Sequence, residues 1–97
     1  MDDYRIWKYP LEITDDQTIN FTCVGRILSV QEQDGVLALW VHLKPPRISE
    51  DDKRVRLHVK IIGTGNSCSS MAGWEFAGSV QTMGNKLVWH VFYKWEE

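Results

Sequence analysis

The amino-acid sequence predicts an all-β protein, a single compact antiparallel sandwich or barrel-like sheet of six to seven short strands, from two observations. The first is alternation with a period of two. From Arg54 to Ile61, apolar Val55, Leu57, Val59 and Ile61 alternate with polar Arg54, Arg56, His58 and Lys60. That pattern buries one face of a strand, whereas a helix would scatter the same apolar residues around its axis. The second is the turn chemistry between such segments. Asp34-Gly35 supplies the two positive-φ positions of a type I′ hairpin, and Gly84-Asn85 closes a second hairpin on the same grounds.

In chain order, Tyr4–Ile13 and Thr18–Thr22 read as the first two strands, with Asp15-Asp16 turning between them. Pro10 cannot donate a ladder hydrogen bond, so it places the first strand at an edge or a bulge. Arg26–Gln33 and Val36–Leu43 flank the Asp34-Gly35 turn. A proline-stiffened loop follows, running from Lys44 to Asp52 and closing on acidic Glu50, Asp51 and Asp52. The Arg54–Ile61 strand leads to a second loop, Gly63 to Gly73, whose small residues allow a partner's backbone or a phosphate to approach closely; at most one helical turn is expected, near Ser67–Ala72. Glu75–Thr82 and Lys86–Trp95 then form the C-terminal hairpin. Both faces of its last strand carry apolar residues, which predicts cover on both sides. Trp7, Trp40 and Trp89 are expected in the core, and Trp74 and Trp95 at the surface.

At 97 residues the chain is expected to form one domain over its whole length. Its 43% hydrophobic and 25% charged residues lie far from the composition of disordered chains. A net charge of −2 and a pI near 5.9 argue against direct binding of double-stranded nucleic acid or an anionic membrane. No apolar run approaches the roughly 20 residues of a membrane span, and Met1 to Arg5 is no signal peptide, so action in the cytoplasm is expected. Cys23 and Cys68 are then expected to be reduced thiols. His42, His58 and His90 have no close spacing to each other or to the cysteines that would hold zinc, and no cofactor is implied.

Three features point to binding. Gly63-Thr64-Gly65-Asn66 places backbone amides where glycine-rich turns cradle a phosphate, but the Lys-Ser/Thr pair and following helix of a phosphate loop are missing. The plain alternative is a tight strand exit that needs positive φ. Arg54, Arg56, His58 and Lys60 form a basic stripe feeding that loop, which suits an anion; equally, cross-strand acids would consume its charge. Trp74 follows Gly73 at the loop's end, where an exposed indole anchors an interface or stacks a base, unless it is core. No nucleophile motif frames Ser67 or Cys68, so the chain reads as a binding protein and not an enzyme.

Several segments together resemble a known group of proteins. They are Ile6-Trp7-Lys8-Tyr9, Ile13 to Ile19, Ile27-Leu28-Ser29-Val30-Gln31 before Asp34-Gly35, Leu39-Trp40, Gly63-Thr64-Gly65, Gly78-Ser79-Val80-Gln81 and Leu87-Val88-Trp89-His90-Val91-Phe92. In this order they resemble an uncharacterised family of small proteins encoded mainly by tailed bacteriophages and prophages. Members often carry His-Pro after Gly-Thr-Gly where this chain has Asn66-Ser67, and the acidic Arg47–Asp52 stretch is longer here. The resemblance implies a phage context and transfers no residue role. In that context the expected function is inhibition of a host defence or regulatory protein, such as a CRISPR-type complex, by protein–protein contact in the host cytoplasm. Glu50, Asp51 and Asp52 would mimic nucleic acid and Trp74 would anchor the contact. The alternative is sequestration of a nucleotide immune signal at Gly63–Asn66 with Arg54 and Arg56, and a further one is a minor virion component. An unpaired edge, at the Pro10 or the Trp95 strand, would favour a homodimer.

Overall fold

The computed structural model describes residues 4–44, 55–84 and 86–97. The acidic residues Glu50, Asp51 and Asp52, together with Arg54 and Asn85, lie outside the described residues. The fold is all-β. Seven strands run β1 (Arg5–Leu11), β2 (Gln17–Phe21), β3 (Arg26–Gln33), β4 (Val36–Leu43), β5 (Val55–Gly63), β6 (Glu75–Thr82) and β7 (Leu87–Glu96). Among the described residues there is no helix, including at Ser67–Ala72. The strands form two antiparallel sheets, ordered β1-β4-β3 and β2-β5-β7-β6, so the arrangement is a sandwich and not a closed barrel.

The alternation on β5 does what its spacing dictates. Leu57 and Val59 are fully buried, Val55 and Ile61 nearly so, and Arg56, His58 and Lys60 face outward. From the other sheet Leu37, Leu39 and Val41 of β4 meet them, and Val91 of β7, Val80 of β6, Val30 of β3 and Phe21 of β2 complete one apolar core. Burial of side chains this size contributes roughly 1.5–3 kcal/mol each. The Asp34-Gly35 turn takes φ of +54° and +83°, the positive pair a type I′ hairpin requires. Among the described residues of the second hairpin Met83 and Gly84 are left-handed, and Lys86 N–H closes the turn on Thr82 O at 3.1 Å. The left-handed conformation thus extends to Met83, which the Gly84-Asn85 signal does not include.

Strand order explains the loop from Thr64 to Trp74. β5 and β6 both run antiparallel to β7, which lies between them, so they are parallel to each other and need a crossover connection. Gly63 stands opposite Trp89 and Glu75 opposite Tyr93, a shift of roughly 13 Å along the sheet. Residues 64–74 have slack for this, taken up in turns at Gly65 and Gly73, whose φ values are +88° and +87°. The second turn is closed by Trp74 N–H donating to Met71 O at 3.0 Å.

The tryptophans divide differently from the expectation. Trp89 packs against the core and donates through Nε1 to Thr82 Oγ1 at 2.9 Å. Trp95 is also core-packed, edge-on to Phe21 at 5.1 Å between ring centroids, because it shares the parity of Trp89, Val91 and Tyr93, which pack on the core. Its strand pairs on both sides over most of its length and is not an edge. Trp40 is half-buried, with the polar Lys8 and Ser29 beside it in register. Trp7 is 53% exposed. Tyr9 packs on Phe21, the last residue of β2, so Trp7, two residues further back along β1, lies beyond that strand's end.

Candidate functional site

The outer face of the four-stranded sheet brings together Arg56, His58, Lys60 and Trp74 of the residues that the sequence singles out. On β5, Arg56, His58 and Lys60 point outward, and their charge is largely spent on neighbours. Arg56 Nη1 lies 3.3 Å and His58 Nε2 2.9 Å from Glu96 Oε1, and His58 Nδ1 lies 3.2 Å from Thr18 Oγ1. Lys60 Nζ pairs with Asp16 Oδ1 at 3.1 Å. The His58 hydrogen bond, then that from Arg56, holds the Glu96 carboxyl below its ordinary value. The basic stripe is thus mostly the outer half of a cross-strand ion-pair network, the outcome expected when β2 and β7 bring acids alongside β5.

Trp74 returns the crossover to this face. Its ring is within 5.3 Å of Lys60 Nζ and 5.2 Å of Lys94 Nζ, measured to the ring centroid. Lys60 and Lys94 are outward residues of adjacent strands, so the indole spans the β5–β7 boundary and pins the loop to the sheet by paired cation–π contacts. Lys94 makes no ion pair among the described residues. Beside it Phe92 meets Phe76 at 5.3 Å between centroids, and Phe76 is 58% exposed. Trp74, Phe76 and Phe92 thereby form an aromatic patch with two lysines set into it. A groove of about 390 Å³ opens next to the patch, lined by Thr18, His58, Lys60, Trp74, Lys94 and Glu96 among others. A smaller hollow of about 200 Å³ lies on the far side of the Asp16–Lys60 pair, where Ser67, Cys68 and Ser69 pass over the sheet.

The Gly63–Asn66 segment is separate from that groove, and two of its amides are engaged. Thr64 N–H donates to Val88 O at 3.1 Å and Asn66 N–H to Gly63 O at 3.1 Å, while Gly65 supplies the positive φ. A side chain on Gly63 would meet Asn66 Nδ2 at 2.9 Å and Trp89 Cζ3 at 3.1 Å, so close packing accounts for that glycine. Thr64 Oγ1 lies 2.7 Å from His90 Nε2, and Ser79 Oγ 2.7 Å from His90 Nδ1. His90 therefore ties the crossover's first residue to β6 and β7. These contacts favour the tight strand exit over the phosphate cradle.

Residue-level sequence reasoning missed Lys94, Phe76 and Phe92. The signal for them was present: Phe92 and Lys94 share parity with His90 on β7, and that parity becomes a shared face once β7 is central. Cys23 and Cys68 are free thiols; Cys23 Sγ reaches Lys44 O at 3.7 Å and Cys68 is exposed. Among the described residues no group of three or more His, Cys, Asp or Glu is placed to hold a metal ion.

Fold and site together define a small β-sandwich whose candidate site is an open aromatic and lysine surface on one sheet. The chain belongs to the family described as a domain of unknown function, DUF7352, whose model matches residues 3–97. No curated protein matches the chain. Nor does any solved structure.

Proposed function

We propose that this chain is a non-catalytic, phage-encoded binding protein that inhibits a host defence or regulatory system, such as a CRISPR-type complex, by protein–protein contact. The observation that carries the binding reading is the surface patch of exposed Phe76 and Lys94 with half-buried Trp74, Phe92 and Lys60. Aromatic anchors set among charged groups are the usual composition of an interface centre and its rim. The phage origin, the host target and the host cytoplasm rest on the sequence resemblance. Mimicry of nucleic acid by Glu50, Asp51 and Asp52 forms no part of the proposed contact, which is built on the sheet face. The test is native mass spectrometry of the tagged protein purified from a defence-competent host, followed by reconstitution with the purified partner. Phe76→Ala combined with Lys94→Glu should weaken the reconstituted complex at least about tenfold, a loss of about 1.4 kcal/mol, while the chain stays folded with only the modest fall in melting temperature that losing the Lys94–Trp74 and Phe76–Phe92 contacts brings. Equal binding by the double variant refutes the assignment of the face.

The groove beside Trp74 favours a second reading, capture of a nucleotide signal. Trp74 would stack the base, and Lys94, without an acidic partner among the described residues, would meet a phosphate. This moves the nucleotide site from Gly63–Asn66 to the groove. A nucleotide at about 100 times its Kd should raise stability by about 2.7 kcal/mol, and Lys94→Gln should remove the shift. No shift with any cyclic or ADP-ribose-type nucleotide rejects this reading.

A further inference from the structure

Each sheet has two edge strands, β1 and β3 in one and β2 and β6 in the other. An unpaired edge offers its N–H and C=O groups to any strand that can reach it, and proteins blunt such edges with bulges, brevity, Lys or Pro. β3 is bulged between Ile27 and Ser29 and β6 between Phe76 and Gly78, and the two meet where Gly78 approaches Val30. β2 is only five residues long, with polar Gln17, Thr18 and Asn20. β1 is different. It is 59% exposed at Ile6 and 53% at Trp7, and Tyr4, stacked on His42 just before the strand, is exposed too. Ile6 and Trp7 lie on opposite faces of β1, beside His42 and the buried Val41 respectively. Lys8 and Pro10 blunt only its second half.

We propose that β1 pairs antiparallel with β1 of a second copy, about a two-fold axis through Ile6, joining two three-stranded sheets into one of six strands. The register follows from the residues. Directly opposite residues in an antiparallel pair share a face, so a two-fold axis normal to the sheet passes through a residue that faces itself. With the axis at Ile6, isoleucine meets isoleucine, Tyr4 faces Lys8 and Arg5 faces Trp7, so no like charges stand opposite one another. Pro10 falls outside the paired stretch. An axis at Trp7 would draw Pro10 into the ladder opposite Tyr4, and one at Arg5 would set like charges face to face. Of these three axes, only the one at Ile6 satisfies both constraints. The edge belongs to the smaller sheet, whereas the aromatic patch belongs to the larger, so the two proposals stand or fall separately.

Sedimentation equilibrium over a concentration series tests the pairing. The wild-type chain should approach twice its monomer mass, and Ile6→Lys should raise the dimer dissociation constant at least about tenfold; at concentrations low enough that both chains are monomeric the two should melt alike, since Ile6 is exposed. Cysteine cross-linking in a Cys23→Ser/Cys68→Ser background tests the register independently. Self-facing Cα atoms stand roughly 4.5–5.5 Å apart, within disulfide reach, so Ile6→Cys should cross-link to itself on mild oxidation. Tyr4→Cys should cross-link only when mixed with Lys8→Cys. A monomer up to about 1 mM, an undiminished dimer in Ile6→Lys, or self-cross-linking by Tyr4→Cys with none by Ile6→Cys overturns the proposal.

Discussion

Replacing Trp74 with alanine tests whether the crossover is held to the sheet by its indole. The ring meets two ammonium groups, Lys60 at 5.3 Å and Lys94 at 5.2 Å, and each such contact is worth about 0.5–1 kcal/mol where solvent reaches it. Removing both therefore costs about 1–2 kcal/mol. Trp74 is half-buried, so lost apolar contact adds about 1 kcal/mol. Urea unfolding followed by far-ultraviolet circular dichroism should report about 2–3 kcal/mol in total, a fall of roughly 8–20 °C in Tm for a domain of this size. A double-mutant cycle separates the two parts. Lys94→Met keeps the stem and removes the charge, and its coupling to Trp74→Ala should be about 0.5–1 kcal/mol. A cost below about 0.5 kcal/mol with no coupling would show that the loop's own turns hold it and that the lysines contribute nothing.

Further perturbations address other parts of the molecule. Glu96 has its carboxyl pKa depressed in the folded chain below 4.5, by the His58 hydrogen bond first and the Arg56 bond second. Stability from this cluster is therefore complete above pH 4.5 and is lost as the pH falls through the lower folded value, so Glu96→Gln should flatten the acid limb of a Tm-against-pH curve. Tyr93 behaves oppositely: burial, then Glu75, raises its hydroxyl pKa above 10.0, so its contribution is complete below that pH and is lost above it, and Tyr93→Phe should lessen the alkaline loss of stability. Gly25→Ala should destabilise more than Gly63→Ala in urea titrations, both within about 1–3 kcal/mol. The new Cβ at position 25 meets the His42 carbonyl at 2.9 Å, which is backbone, whereas at position 63 it meets the movable Asn66 side chain at 2.9 Å. Leu57→Ala, at a fully buried central position, should cost about 2–5 kcal/mol in the same assay.

The strands were legible because their signals are local. Alternation over Val55 to Ile61 and the positive-φ demand of Asp34-Gly35 need no knowledge of the partner strand, and β3, β4 and β6 run over the residues expected of them. The tryptophans were not legible, because burial depends on what lies opposite. Trp7 has the parity of buried Val41 and still emerges, since β2 stops at Phe21; Trp95, near the chain's end, is covered by Phe21 for the converse reason. The loop after Gly63 could be recognised as a loop from its small residues. Only the order β5-β7-β6 reveals it as a crossover that has to lie on the sheet.

That topological fact reorders the candidate site as well. Read along the chain, the basic residues of β5 and the Gly-Thr-Gly turn look like one anion site because they are adjacent in sequence. In the sheet the stripe is crossed by two acidic neighbours, Asp16 from the β1–β2 turn and Glu96 from the end of β7, which take up Lys60, Arg56 and His58. Exposed pairs of this kind are individually worth about 1 kcal/mol or less, so they contribute little to folding, but they decide which cations remain for a ligand. Within the groove Lys94 is the lysine left over, and it lies against the one aromatic that the crossover carries back over the sheet. A mutational search guided by sequence adjacency would begin at Arg56 and Gly65, whereas the spatial argument places Trp74, Phe76 and Lys94 first. Binding measurements on the two sets of variants discriminate directly, since any ligand of this face should respond to the second set and be nearly indifferent to the first.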